Sequence, residues 1–374
     1  MLHTNEEILE QFEAALRQMH TPEEPELLYA PIIYSMSGGG KRLRPVLLLI
    51  THEAFGGNVD KAMPAAMAVE VFHNFTLLHD DIMDNASVRR GKPSVYAKWG
   101  ENVAILSGDA MLITAYKLLA ALDAERLPRA LQIFNDMALE VCEGQQYDMD
   151  FETQTTVTVE DYIQMIERKT SALLSGSAML GATLAGATDD DVKKICRFAT
   201  ELGLAFQLQD DMLDSFGDEA LGKKIGGDIL EGKQTYLMVQ AMNRASAEER
   251  EVLRTTHKNE ALNDVEKIAT VKALYYKLDV KHATEQQIES MDWAIAQNAD
   301  PASPYYQKID VKNICVAGMS CGGLQTLYNC ADPRIKTLMI CNSGLFNQQN
   351  ANQAVGGMPM PPKDKLKEIH TSIM

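Results

Sequence analysis

Apolar positions recur at helical spacing from Asn5 to about Ser290, as in Ile105, Met111, Ala115, Leu118 and Leu119, or in Leu173, Leu174, Ala178 and Leu184. Strand-like alternation is scarce over that stretch. Breaks fall at Pro22 and Pro25, at Gly38 to Gly40, at Gly56-Gly57, at Gly91 to Pro93, at Asp123 to Pro128 and at the Gly186 to Asp191 turn. They cut the segment into about ten helices, which predicts a bundle. Small residues crowd the stretch Ser171 to Ala187, and there they suit close helix packing better than catalysis. After Ser290 the rhythm changes. Met291 to Asn298 still reads as a helix, but Asp300-Pro301 and Ser303-Pro304 end it. Ile314 to Ala317 and Thr337 to Cys341 are apolar runs of strand length on either side of a helix-like stretch, Leu324 to Ala331. The pattern predicts a strand, helix, strand unit over residues 291–374, with Asn347 to Pro362 as loop.

Composition narrows the function. With 374 residues the chain can bury a large core, and 35 basic against 52 acidic residues give a net charge of −17. That balance argues against nucleic acid or an anionic membrane surface as the main partner. An acidic protein that takes an anionic substrate needs cations in between. Met1 to Phe12 has scattered charges and no apolar core, and no later stretch reaches the roughly 20 apolar residues of a membrane span, so the chain reads as cytoplasmic. The cysteines at 142, 196, 315, 321, 330 and 341 form no C-x-x-C pair, which favours reduced thiols over disulfides or zinc.

The chemistry sits in two acidic groups. Asp80, Asp81 and Asp84 form a D-D-x-x-D motif, and Asp210, Asp211 and Asp214 form a second. Positions i and i+4 share a helix face, so each group aims its carboxylates one way. A single such motif is as often a solvated acidic face. Here Phe75, Leu77 and Leu78 precede the first, and Phe206, Leu208, Met212 and Leu213 surround the second, so both belong to largely buried helices. Clustered carboxylates in that setting repel one another unless cations neutralise them. Oxygen ligands and a phosphate substrate point to Mg²⁺. A basic set supplies the other charges: Lys41 and Arg44 within Gly39-Gly40-Lys41-Arg42-Leu43-Arg44-Pro45, and Arg89-Arg90-Gly91 after the first acidic motif. Backbone N–H groups at a helix start and arginine forks both suit phosphate oxygens.

Gly39 to Pro45, His73 to Arg90, Lys169-Thr170 and Phe206 to Asp214, followed by Lys224, Asp228 and Lys233, together resemble the trans-isoprenyl diphosphate synthases, the farnesyl and geranylgeranyl diphosphate synthases among them. The resemblance covers residues 1 to about 290. It implies an all-α fold, a homodimer and a central cavity with the acidic motifs at its mouth. It also implies roles. Asp80, Asp84 and Asp210 would hold Mg²⁺ on the allylic diphosphate, with Asp81, Asp211 and Asp214 beside or behind them. Arg89, Lys169 and Lys233 would contact that diphosphate, assisted by Thr170, Gln207 and Lys224. Lys41, Arg44, His73 and Arg90 would hold isopentenyl diphosphate; His52 and His79 read as structural. The allylic C–O bond would ionise, the second substrate's double bond would capture the cation, and released diphosphate would take the last proton. Product length would be set one or two turns before Asp80, where Phe75 and Thr76 stand with Phe72 further down, favouring twenty carbons over fifteen.

Other readings stay open at this point. A class I terpene cyclase shares one aspartate motif and a helical fold, but leaves Gly39 to Pro45 unexplained. A non-catalytic subunit would be expected to have lost an aspartate motif. In the C-terminal segment, Gly318-Met319-Ser320-Cys321-Gly322 resembles the nucleophile elbow of α/β-hydrolases of the dienelactone-hydrolase type, which raises a serine esterase acting through Ser320. Its candidate partners are Asp332, Asp364, Glu368 and His370, and no earlier strand supplies an oxyanion hole, so the segment reads as a hydrolase fragment.

Overall fold

The computed structural model describes residues 2–154, 156–217 and 225–280, and beyond them the backbone of short strands alone. Two compact units emerge, one of residues 1–155 and 160–207, the other of residues 156–159 and 208–374. The first holds α1 (Asn5–Arg17), α2 (Glu26–Met36), α3 (Leu43–Ala54), α4 (Val59–Met83), a hairpin of β1 (Val88–Arg89) and β2 (Lys92–Pro93), α5 (Val95–Trp99), α6 (Glu101–Leu119), α7 (Leu127–Phe151), α8 (Val159–Ile166), α9 (Ala172–Ala185) and most of α10 (Asp189–Phe216). The helix breaks fall where proline and glycine mark them.

The core of this unit forms around α4, where every residue from Ala65 to Phe72 is buried, a burial on all faces that only a central helix shows. Leu48 and Leu49 of α3, Met111 and Ala115 of α6, Phe134 of α7 and Leu173 of α9 close around it. The small residues of α9 are architectural, as their composition suggests. A Cβ at Gly181 would lie 2.2 Å from the Leu48 carbonyl, and one at Gly176 2.4 Å from Met137 Sδ. α6 departs from expectation in one respect: by length and composition it could cross a membrane. Its inner row, Ala104, Ser107, Met111, Ala115 and Leu119, is buried in the bundle.

The second unit takes the end of α10 and adds α11 (Gly227–Glu231), α12 (Tyr236–Arg244), α13 (Ala247–Thr255), a 3-10 turn at Thr256–Lys258 and α14 (Asp264–Lys277). Phe216, Leu237, Met238, Leu253, Val271 and Tyr275 form its core. Capping boxes open two of these helices, Ser246 with Glu249 and Asn263 with Glu266. Further on, β3 (Ile314–Met319) and β4 (Ile335–Cys341) pair in parallel, two residues longer at one end than the apolar runs predict. The tail expected as loop carries a small hairpin, β5 (Ala354–Val355) with β6 (Met358–Pro359), and the chain's helix-like end contains β7 (Ser372–Ile373), parallel to β4. Ser320, Asp332, Asp364, Glu368, His370 and the stretches 291–298 and 324–331 that the sequence predicts as helix lie outside the described residues.

Candidate active site

The first aspartate group closes α4. Asp80 and Asp81 stand in its last turn, and Asp84 caps it by donating its N–H to the Asp80 carbonyl at 2.9 Å. The β1–β2 hairpin that follows turns through Arg90 and Gly91, at φ of 53° and 74°. Such angles suit glycine and strain arginine, so the turn needs outside support. Tyr34 Oη donates to the Pro93 carbonyl at 2.8 Å, and Ser94 Oγ to the Ala86 carbonyl at 2.6 Å. The hairpin brings Arg89 back over α4, where Nε donates to Asp81 Oδ1 at 2.7 Å and Nη2 to Asp80 Oδ2 at 3.0 Å. Burial pushes the Asp81 carboxyl's pKa up, while the Arg89 hydrogen bond and charge work against the rise.

A second cation reaches Asp80. Between α8 and α9 the chain makes a π-helical segment, Glu167–Ser171, whose wider turn re-aims its side chains. Lys169 Nζ lies 2.5 Å from Asp148 Oδ2 on α7 and 3.6 Å from Asp80 Oδ1. Asp80 Oδ1 is buried and accepts no hydrogen bond. Thr170 Oγ1 donates to Gln207 Oε1 on α10 at 2.8 Å.

The glycine loop before α3 builds the basic side. Arg44 Nη1 is 3.1 Å from His73 Nε2, and its Nε is buried with no partner. Burial, then Arg44 and the neighbouring arginines, hold the His73 pKa well below its ordinary 6.5, so the ring is neutral at pH 7. Burial lowers the Arg44 pKa to about 10, with Glu70 opposing and Arg90 adding to the fall. Arg90 lies over the loop: Nη1 donates to the Gly39 carbonyl, and a Cβ at Gly40 would meet Nη2 at 3.0 Å. Lys41 is exposed on the same loop. A shallow cleft lined among others by Gly38, Asn74, Asp81, Arg89 and Arg90 opens beside the hairpin.

The second aspartate group stands at the end of α10 in the other unit. Asp211 is 2 % exposed, and its Oδ2 accepts the N–H of Tyr236 at the start of α12 at 2.8 Å. Asp214 Oδ2 accepts the N–H of Asp228 at 3.1 Å. Burial and then Asp214 push the Asp228 pKa up to about 7, with Lys233 opposing. Lys233 Nζ lies 3.0 Å from Glu231 Oε2. Asp210 adds to the charge that Asp228 feels, while Lys224 lies outside the described residues.

Residues 25–275 match the polyprenyl synthetase family. The chain belongs to that family. A geranylgeranyl diphosphate synthase of Methanosarcina mazei is 42% identical over 235 residues, 62% of this chain and 72% of that one. Another, of Saccharolobus solfataricus, is 42% identical over 266 residues, 68% and 80%. A crystal structure of geranylgeranyl pyrophosphate synthase superposes with a TM-score of 0.73 at 42% identity, covering 82% of this chain and 96% of that one. The family match ends before the change of composition near residue 290.

Within this polyprenyl synthetase, the first unit brings together Asp80, Asp81, Arg89 and Lys169 on one side and Arg44, His73 and Arg90 on the other. His52 and His79 hold the frame. His52 Nδ1 is 3.1 Å from the Gly181 carbonyl, and His79 Nε2 is 3.2 Å from that of Ile105. Phe75 meets Phe72 at 5.6 Å between centroids, Phe72 meets Phe134 at 5.3 Å, and Thr76 Oγ1 donates to the His73 carbonyl at 2.8 Å. Phe75 is half-buried and Phe72 is 1 % exposed, so the first can face a ligand and the second is core. Sequence reasoning missed Asp148 and the buried set Arg42, Glu70 and Asn74. A lone acid on an amphipathic helix carries no signal; its partner appears only when the helices pack.

Proposed function

We propose that the chain condenses an allylic diphosphate with isopentenyl diphosphate in a Mg²⁺-dependent reaction, and that twenty-carbon geranylgeranyl diphosphate is its product, farnesyl diphosphate being the alternative. The observation that carries this is the charged cluster of the first unit, where Arg89 pairs with Asp80 and Asp81, Lys169 approaches Asp80, and Arg44, His73 and Arg90 gather nearby with Arg44 Nε left unfilled. Arg89 and Lys169 take the allylic diphosphate and stabilise its charge as the C–O bond ionises. Arg44, His73, Arg90 and Lys41 hold the diphosphate of the second substrate. With His73 Nε2 facing the Arg44 guanidinium, the neutral ring keeps its proton on Nδ1 as a donor to a phosphate oxygen.

Among the described residues no three metal-ligating side chains converge. The donor set still fits a hard cation: Asp80 offers a buried carboxylate oxygen without a hydrogen bond, and every candidate ligand is oxygen. In the first unit Asp80 and Asp84 are the residues that would hold Mg²⁺; Asp210 is the candidate ligand of the second unit, taken by itself. Bound there, the ion supplies neutralising charge on the leaving diphosphate. The decisive experiment gives the purified chain Mg²⁺, labelled isopentenyl diphosphate and each allylic starter, with products sized by chromatography. Elongation that stops on chelation supports the reading, and no elongation from any starter refutes it.

A homodimer fits the same reading. Leu106, Ile113 and Tyr116 of α6 and Leu139 of α7 are exposed, and Tyr116 Oη donates to Asn135 Oδ1 of α7 at 2.6 Å, which places these helices side by side. Exposed apolar side chains grouped on one face commonly mark an interface. Sedimentation at the mass of one chain would refute it.

A further inference from the structure

Between Lys41 and Arg44 stands Arg42, which has no part in the roles given so far. It is buried, at 5 % exposure, and its φ of 49° is one that a side chain of its size rarely adopts. Three contacts hold it. Nη1 donates to Glu70 Oε1 at 2.5 Å, Nε to Glu13 Oε1 at 2.9 Å and Nη2 to the Met36 carbonyl at 3.0 Å, while Glu70 Oε1 also accepts from Asn74 Nδ2 at 3.0 Å. Glu70 is itself 2 % exposed and lies one helical turn before His73 on α4. Its charge acts on Arg44 and Arg90 as well as on Arg42.

One buried carboxylate therefore sits behind the basic group that is to receive a diphosphate. Left alone, it would draw Arg44 or Arg90 to itself, since a buried charge without a partner is strongly disfavoured. We propose that Arg42 is a positioning residue that saturates Glu70 and pins the glycine loop, so that Lys41, Arg44 and Arg90 stay turned toward the diphosphate of isopentenyl diphosphate. Unlike those three, Arg42 does not touch the substrate. The inference rests on the proposed assignment of that basic group.

The test is steady-state kinetics of the full chain with Mg²⁺, varying each substrate separately, for Arg42→Gln, Glu70→Gln, the double variant and Arg44→Gln. Arg42→Gln should raise KM for isopentenyl diphosphate about tenfold or more and leave KM for the allylic substrate within about twofold, as loss of one charge-assisted bond predicts. In the double variant no buried charge competes for Arg44, so KM for isopentenyl diphosphate should return most of the way to the parent value. A purely structural role would not give that rescue. The double variant also covers the case in which Arg42→Gln fails to fold. Equal rises of both KM values in Arg42→Gln, a parental KM in that variant, or a double variant no better than the single would overturn the proposal. Arg44→Gln separates the two levels: if it leaves KM for isopentenyl diphosphate unchanged, the basic group is misassigned and the inference falls with it. If it raises that KM while Arg42→Gln does not, only the inference fails.

Discussion

Gly144→Ala offers a sharp test of how Lys169 is placed. Gly144 lies on α7 against the π-helical segment, and an added Cβ would stand 2.2 Å from Lys169 N and 2.6 Å from Lys169 Cα. Ordinary contact begins near 3.4 Å, so the two backbones must part by about 1 Å. The obstacle is backbone, so no side chain can swing aside. Overpacking of this kind costs about 3 kcal/mol at the upper end, and alanine's better helix propensity returns about 1 kcal/mol. The net loss of about 2 kcal/mol corresponds to a fall of roughly 4–8 °C in Tm for a unit of this size. The same displacement carries Lys169 Nζ away from Asp148 Oδ2, now at 2.5 Å, and from Asp80 Oδ1, now at 3.6 Å. A misplacement of about 1 Å at a reacting group lowers turnover by about a hundredfold. KM for isopentenyl diphosphate should hardly move, because Lys41, Arg44, His73 and Arg90 stand on other elements. Thermal melts and steady-state rates read both effects, with Cys142→Ala, exposed on the same helix, as the neutral control. A Gly144→Ala chain with the parent's Tm and kcat would refute the close approach and the role given to it.

The other predictions can be put briefly. Asp80→Ala should lower turnover by orders of magnitude while far-ultraviolet circular dichroism keeps its helical signal; near-normal rates would remove Asp80 from the metal site. His52, its pKa held below 6.5 mainly by burial, is neutral in the fold, so the unfolded chain binds the extra proton and this contribution to stability is complete above about pH 6.5 and lost as pH falls below it. Asp228, raised from 3.8 to about 7 by burial and Asp214, acts in the opposite sense, its contribution lost as pH rises between those values. Melts across that range should therefore lose acid-side steepness in His52→Gln and alkaline-side steepness in Asp228→Asn, and unchanged slopes would contradict both shifts. Phe75→Ala should lengthen the product by about one five-carbon unit and Thr76→Phe should shorten it, since one helical turn is about 5.4 Å. Identical product distributions in both variants would reduce Phe75 to packing.

Much of the bundle can be read from spacing, because a helix announces itself over a dozen residues of its own sequence. The breaks at Gly38 to Gly40, Gly56-Gly57 and Gly186 coincide with real helix ends at Met36, Ala54 and Ala185. What spacing does not reveal is short or depends on a neighbour. The β1–β2 hairpin has two residues in each strand, too few for any period, and its turn places Arg90 in a conformation supported by bonds from Tyr34 to Pro93, Ser94 to Ala86 and Arg90 to Gly39. The π-helical segment is equally silent, since Glu167 to Ser171 reads as ordinary helix and its widened turn goes with the approach of Gly144.

The site divides along the same line. Asp80, Asp81, Arg89, Arg90, Lys41 and Arg44 are legible because each belongs to a group of charges crowded on one short stretch, and such crowding inside an apolar helical frame needs a counter-charged ligand to explain it. Asp148, Glu70 and Arg42 are single charges whose meaning comes from a partner on another helix: Asp148 from Lys169, Glu70 from Arg42. Their chemistry differs accordingly. The crowded groups keep unfilled valences, such as Asp80 Oδ1 and Arg44 Nε, which suits them to bind what is not yet there. The single charges, satisfied within the fold, bind nothing and instead fix where the crowded ones point. Substitution of a satisfied charge should thus disturb affinity for one substrate through geometry, whereas substitution of an unfilled one removes a contact outright.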